Sequence, residues 1–207
     1  MSYYLTQIKL NNSRRSTWSI LNKLEPLHAL VEKMFPGDVG RVLWRMDNTY
    51  EGPVLYVLST GIPDATGVVE QFGWPRLDYR DQVRTAKMDT FFDDLKTGDR
   101  FGFRVAINPV RHNGKLGRDT LIVGKRAIDL IKEKLESNGF KVDTDLVRQV
   151  DESHCQLWKN GKRLTRVITS FEGIVTIDDA YAAKKALTGG IGRMKAYGAG
   201  LLTLART

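Results

Sequence analysis

Cys155 is the only cysteine in 207 residues, so no disulfide can form within the chain and a reducing, cytoplasmic setting is expected. Without an activating neighbour in sequence, its thiol reads as structural or idle. Long apolar runs are also missing: nowhere do eighteen apolar residues stand together, and the opening MSYYLTQIKL has no basic segment leading into a hydrophobic one. Neither a membrane span nor a secretion signal is expected. Histidine is scarce, with His28, His112 and His154 alone, and none stands in an HxxxH or HExxH pattern. Adjacent His154 and Cys155 would point to opposite faces of a strand. A metal site is therefore not expected, and no cofactor is called for.

Acidic residues are the scarcer charge, 24 against 32 basic ones, and the deficit is uneven. Residues 1–110 carry 14 Lys/Arg and 13 Asp/Glu, whereas residues 111–207 carry 18 and 11. Within residues 100–126 lie Arg100, Arg104, Arg111, Lys115, Arg118, Lys125 and Arg126 against a single acid, Asp119. Clustering of this kind suits a polyanion, because phosphate neutralisation with counterion release dominates nucleic-acid affinity. The alternative is a solvated basic face.

Hydrophobic residues, at 42%, are in ordinary globular proportion, so the pattern can be read for elements. Tyr4 to Leu10 alternates as a half-buried strand does. After a loop over 11–17, Leu24, Leu27, Leu30, Val31 and Met34 recur at helical spacing until Phe35-Pro36-Gly37. Strands follow at Val42–Met46 and Val54–Ser59, residues 61–98 show little periodicity, and Arg100–Ile107 alternates again. A basic, glycine-containing linker then runs over 111–119. The second unit begins with a strand at Thr120–Val123 and a helix near Lys125–Ser137, with Gly139 as its cap. Phe140–Val150 and His154–Trp158 read as extended, and Asn160-Gly161 is a hairpin turn before Leu164–Thr169. Gly173–Ile177, a helix opened by Asp178-Asp179, and a last strand at Leu201–Leu204 complete it. Both halves approximate β-α-β-β-α-β, so the expected fold is α+β, with two tandem ferredoxin-like domains over 1–110 and 120–207.

The most distinctive segment is Gly190-Ile191-Gly192-Arg193-Met194-Lys195-Ala196-Tyr197-Gly198-Ala199-Gly200. It follows a helix and lacks the spacing of a dinucleotide or Walker A loop. Glycines admit positive φ and close approach of backbone to an anion, and Arg193 and Lys195 add charge. A tight helix-to-strand turn is the plainer reading. This glycine pattern running into Leu201-Leu202-Thr203-Leu204-Ala205 resembles the signature loop of the RAMP superfamily of CRISPR-associated RNA-binding proteins. With Phe171-Glu172-Gly173, Asn108-Pro109, and Leu27-His28 followed by Phe35-Pro36, it is similar to the CasE branch over nearly the whole chain. The resemblance implies two ferredoxin-like domains, metal-free cleavage of CRISPR repeat RNA beneath a hairpin to give mature crRNA, and partnership with the other subunits of the type I-E Cascade complex.

His28 matches the catalytic histidine of that family. Pro26 near N1 puts it in the first turn of a helix, where the helix dipole disfavours imidazolium and a neutral ring can accept a proton. A packing histidine is the alternative, since Leu24, His28, Val31 and Phe35 share a stripe. Glu25 stands where the family often has a tyrosine; it could orient His28, cap the helix, or be an exposed acid. Lys33 matches a lysine important in some relatives and could stabilise charge on the scissile phosphate; a solvated helix lysine is the alternative. Arg111, Lys115, Arg118, Lys159, Lys162, Arg163, Arg166, Arg193 and Lys195 are candidates for RNA binding, with Gly190, Gly192, Gly198 and Gly200 shaping the loop. Trp158 and Tyr197 are either base-stacking or core residues. The rival function is a non-catalytic RNA-binding scaffold subunit. An RRM-like binder would need an aromatic RNP1 string, which the sequence lacks.

Overall fold

A computed structural model describes residues 2–115, 117–159 and 161–207, with the side chains of Arg118 and Lys159 outside the description. Strand β1 (Tyr4–Lys9) is followed by a short helix α1 (Arg15–Ile20), by α2 (Leu24–Glu32), and by the hairpin β2 (Leu43–Thr49) and β3 (Gly52–Ser59). Helices α3 (Thr66–Phe72) and α4 (Tyr79–Gln82) lead to β4 (Val83–Lys87), and α5 (Asp89–Asp93) closes this part. The strand order is β2-β3-β1-β4, every neighbouring pair antiparallel, which is the ferredoxin-like arrangement.

Leu27, Val31 and Met34 project from α2 and its exit onto this sheet, meeting Ile8, Leu55 and Val57, with Val68 and Phe72 of α3 alongside. Their i, i+4 and i+7 spacing is what makes one face of α2 apolar. Each such aliphatic side chain, fully withdrawn from water, contributes about 1.5–3 kcal/mol. That burial fixes the helix, and so fixes where His28 points.

The second sheet begins with β5 (Arg100–Ile107). A ribbon of β6 (Val110–Asn113) and β7 (Arg118–Leu121) comes next, then α6 (Lys125–Glu136), β8 (Phe140–Val142), β9 (Arg148–Lys159), β10 (Lys162–Ile177), α7 (Ala180–Gly189) and β11 (Leu202–Arg206). The order β11-β5-β10-β8, with β9 also on β10, repeats the ferredoxin-like pattern. Phe101, Phe103, Val105, Phe171 and Val175 face Ile131 and Leu135 of α6 and Ala183 and Leu187 of α7 in one core.

Three expectations change here. The strand Arg100–Ile107 pairs with β10 and β11, so it opens the second sheet rather than closing the first. Its alternation identified a strand, but the partner of a strand is set by packing that sequence period does not encode. The fourth strand of the first sheet is β4, short and mostly exposed, which is why no apolar alternation marked it. Second, the expected linker over 111–119 and the strand expected at Thr120–Val123 together form the β6–β7 ribbon, Val110 pairing with Leu121 and Asn113 with Arg118. Third, β9 and β10 make one long hairpin where several shorter strands were expected, with a register shift at Ser170/Phe171 that bends it. Of the expected turn Asn160-Gly161, Asn160 lies outside the described residues.

A buried charge cluster joins the two sheets. The Arg45 guanidinium forks onto Asp47, donating from Nε to Oδ1 at 2.7 Å and from Nη2 to Oδ2 at 2.9 Å. It also donates from Nη1 to the carbonyls of Arg104 and Leu201, both at 2.9 Å. Arg104 lies 3.3 Å from Asp47 and 2.5 Å from Glu172. A buried arginine stripped of such acceptors is very costly, so this network fixes the relative placement of the domains. Burial first, and the Asp47 carboxylate second, raise the Tyr56 phenol above its ordinary pKa.

Helix α7, which delivers the glycine loop, starts from an Asp179 side chain that accepts the N–H groups of Tyr181 (2.9 Å) and Ala182 (3.1 Å). Asp179→Ala leaves those donors to water and is expected to lower stability by about 1 kcal/mol, seen as a lower denaturant midpoint at unchanged m-value. Among the described residues no helix is long and apolar enough to cross a membrane.

Candidate active site and RNA-binding surfaces

His28 sits in the second turn of α2, since the helix starts at Leu24 with Lys23 as its cap residue. Pro26 is the third helical residue, where its missing N–H has no intrahelical acceptor to satisfy. Leu24, Leu27 and Val31 take the buried face, which leaves the His28 ring at its border with 31% of the side chain exposed. Nε2 lies 3.2 Å from Oε1 of Glu32, one turn further along. The ring also meets Tyr197 edge to face, with centroids 5.4 Å apart. Two contacts on a half-exposed imidazole orient it without closing it off from solvent.

The ring lines a cleft of about 600 Å³ whose other walls include Glu32, Phe35, Arg41, Trp44 and Lys195. Two cations thus flank the histidine. Lys195 donates from Nζ to the Gly189 carbonyl at 2.8 Å, and burial first, then the nearby Arg41 charge, lower its pKa. Lys33, by contrast, caps the carboxyl end of α2 and is exposed outside the residues that line the cleft.

Glu25 has a definite partner elsewhere: its Oε1 accepts the backbone N–H of Trp158 on β9. This ties the start of α2 to the β9–β10 hairpin, reinforced by the Gln156 N–H donating to the Asn22 carbonyl at 2.8 Å. Beneath these bonds Leu24 packs against Cys155 and Leu157. Burial, with Asp151 second, pushes the Cys155 thiol up to about 11, as a structural cysteine requires.

The glycine loop closes on itself and on the first domain. The Ile191 N–H donates to the Gly200 carbonyl at 2.9 Å, and the Gly200 N–H to the Ala106 carbonyl at 2.6 Å. Gly198, at φ +79°, lies against the Trp44 ring, where an added Cβ would stand 2.6 Å from the indole. Gly200, at φ +91°, would place a Cβ 2.5 Å from the Ile191 carbonyl. The Trp44 indole N–H donates to the Ala196 carbonyl at 3.0 Å, locking loop to sheet. The N–H groups of Gly190, Ile191, Tyr197, Ala199 and Gly200 all donate to carbonyls within the protein. The loop forms a wall that holds Tyr197 against His28 and places Lys195 in the same cleft, with Gly190 and Gly192 at positive φ shaping its first turn.

The other basic candidates fall into two zones. Arg193 in the loop pairs with Asp119 of the ribbon at 2.6 Å, and Arg111 of the ribbon pairs with Glu133 of α6. Lys134 lies close enough to both arginines for burial first, and then their charges, to lower its pKa. Lys115, at the ribbon's turn, is exposed; the side chain of Arg118 lies outside the described part. The second zone is the β9–β10 hairpin. Opposed residues of antiparallel strands share a face. Arg166 opposes Cys155 and Leu164 opposes Leu157, so Arg166 and Lys162 lie on the side facing α2, while Arg163, opposite Trp158, lies on the reverse. The side chain of Lys159 is outside the described part. Arg104, counted in the basic cluster, is occupied between the domains by Asp47 and Glu172. Among the described residues no three His, Cys, Asp or Glu side chains gather as metal ligands would.

Sequence reasoning missed Glu32, Arg41 and Lys134. Glu32 carried a usable signal, its i+4 spacing from His28. Arg41 and Lys134 reach their places only through the fold.

A family model described as CRISPR associated protein matches residues 3–206. The CRISPR-associated endoribonuclease Cse3 of Thermus thermophilus is 27% identical, the match covering 98% of this chain and 99% of Cse3. The solved structure of Thermus thermophilus Cse3, bound to an RNA representing a pre-cleavage complex, superposes with a TM-score of 0.80 at 24% identity, covering 99% of this chain and 100% of that one. The CRISPR-associated protein Cas6e of Escherichia coli K-12 does so with a TM-score of 0.68 at 26% identity, over 99% of this chain and 100% of its own. These matches bear out both the tandem ferredoxin-like fold and the resemblance to the CasE branch that the glycine loop raised. The chain belongs to the CRISPR-associated protein family.

Proposed function

We propose that this protein is an endoribonuclease that binds the hairpin of CRISPR repeat RNA and cuts the precursor transcript beneath it, acting with the other subunits of a type I-E Cascade complex. The observation that carries the reading is the half-exposed imidazole of His28, oriented by Glu32 and Tyr197 in a cleft that also holds Lys195 and Arg41. The likeness to Cse3 supports it.

In the proposed reaction the ribose 2′-OH attacks the adjacent phosphorus. A bond forms from the 2′ oxygen to phosphorus and the bond to the 5′ oxygen breaks, leaving a 2′,3′-cyclic phosphate and a 5′-hydroxyl. His28 takes the 2′-OH proton or supplies one to the departing 5′ oxygen. The crowded phosphorane carries extra negative charge, which the Lys195 and Arg41 cations at the cleft stabilise. The cation role that the resemblance gives to Lys33 passes to Lys195, because Lys33 stands about 140° round the helix from His28 and outside the cleft lining. Glu25 acts at a distance, positioning the hairpin over α2 through Trp158. Because the nucleophile belongs to the substrate, the scheme requires no metal.

Incubating the purified protein with end-labelled repeat RNA from its own genome should give one cut at the base of the hairpin. Binding without cutting would instead favour the scaffold reading. Affinity should fall with salt at a log–log slope of about −0.7 to −0.9 per phosphate contact. Lys162→Ala with Arg166→Ala, both on the α2 side of the hairpin, should make that slope shallower by between one and two such contacts. An unchanged slope would move the RNA path to the ribbon zone of Arg111, Lys115 and Arg193.

A further inference from the structure

A second cavity, of about 300 Å³, lies behind the wall that Trp44 and the glycine loop raise beside His28. One wall is apolar and aromatic, with Leu24, Trp44 and Tyr197 and the indole of Trp18 at its edge, and the wall along β9 is polar, with Asp151, Glu152 and His154. Trp18 is 63% exposed, yet its ring N–H donates to the Asn12 carbonyl, so it is held in place rather than left to swing. The rim is polar: Asn48 donates from Nδ2 to Oδ2 of Asp151 at 2.9 Å. Nothing in the proposed reaction uses this space.

We propose that the cavity is a nucleobase pocket, which seats an unpaired base of the substrate strand next to the cut; this rests on the proposed function. Three observations select that occupant. The volume is at the lower end of small-molecule sites, which run from roughly 300 to 1,000 Å³, enough for one planar heterocycle. Aromatic faces are what a base stacks on, whereas the Asp151 carboxylate repels phosphate and accepts from an exocyclic amino group. Position completes the argument. Tyr197 lines this cavity and touches the His28 ring, so a base held here belongs to a nucleotide within one or two of the reacting phosphate. The pocket thus reads an amino-bearing base and brings the adjacent phosphate to His28.

The test uses the same repeat RNA with a 2′-deoxyribose at the cleavage position to block cutting, and single abasic residues at each unpaired position around it. One abasic position should weaken binding by about tenfold, the loss expected for one stacked base. In Trp18→Ala or Asp151→Ala protein the same abasic residue should cost less than about twofold, because the pocket it empties is already disabled. Placing 2-aminopurine at that position should give fluorescence quenched by the wild-type protein and recovered with Trp18→Ala. Two results would overturn the pocket while leaving the proposed function standing: abasic penalties equal in all three proteins, or variants that bind the intact RNA as wild type does and cut it at the same rate. Loss of affinity for intact and abasic RNA alike in the variants would point to a contact other than a base and also overturn it. Failure of the wild-type protein to bind the RNA at all would overturn the pocket and the proposed function together.

Discussion

His28→Ala should slow cleavage of the repeat RNA by a factor on the order of 10² or more, as expected when a positioned acid–base group is removed, while affinity for the hairpin stays within about twofold. The separation of the two effects follows from where the ring sits. Leu24, Leu27 and Val31 carry the packing of α2, and the imidazole lies at the edge of that face. Its removal costs the edge contact with Tyr197, worth about 0.5–1.5 kcal/mol, and leaves the buried stripe intact. The basic residues of the β9–β10 hairpin and of the ribbon are untouched. Single-turnover rates with saturating protein, set beside equilibrium binding to a non-cleavable RNA, provide the check. Parallel losses in rate and affinity would mark His28 as a docking residue.

The parts of the fold that were legible in the sequence are those where a buried face repeats over several turns or residues. Leu24, Leu27, Val31 and Met34 announced α2, and Asp179 before an alanine-rich run announced α7 with its cap. Strand β4 was invisible because an edge strand with exposed side chains has no apolar period to reveal. The ribbon was mistaken for a linker for the same reason, since His112 and Lys115 face solvent there. Strand β5 was seen as a strand and placed in the wrong sheet. Its alternating phenylalanines dictate a buried face, but the choice between β1 and β10 as neighbour depends on contacts about 70 residues apart or more, which local pattern does not record.

The site divides in the same way. His28 is a candidate because a family resemblance points to it, and Lys195, a candidate for RNA binding, because it stands in the glycine loop. What the loop does could not be read: the spacing of its glycines fits an anion cradle as well as a turn. The decisive fact is the Trp44 ring against Gly198, a contact made across the chain. Glu25 teaches a similar lesson. Orienting the histidine, capping the helix and idling in solvent were the local options, and its partner proves to be a backbone N–H 133 residues away. Lys162, Arg163 and Arg166 looked like one grip, until the register divided them between two faces of the hairpin.

The central claim is that the substrate supplies its own nucleophile and His28 moves the proton. A repeat RNA carrying one 2′-deoxyribose immediately 5′ of the scissile phosphate tests it most directly, assayed beside the all-ribose RNA with and without excess EDTA. The account predicts that the single missing hydroxyl abolishes cutting, since the attacking atom is gone. Binding persists, because one 2′-OH is a small part of what phosphates and stem shape provide. EDTA leaves cleavage of the all-ribose RNA unchanged. A deoxy substrate that is cut at a normal rate, with EDTA stopping the reaction, would contradict the account: the nucleophile would then be a metal-activated water, and His28 would have no proton of the 2′-OH to take.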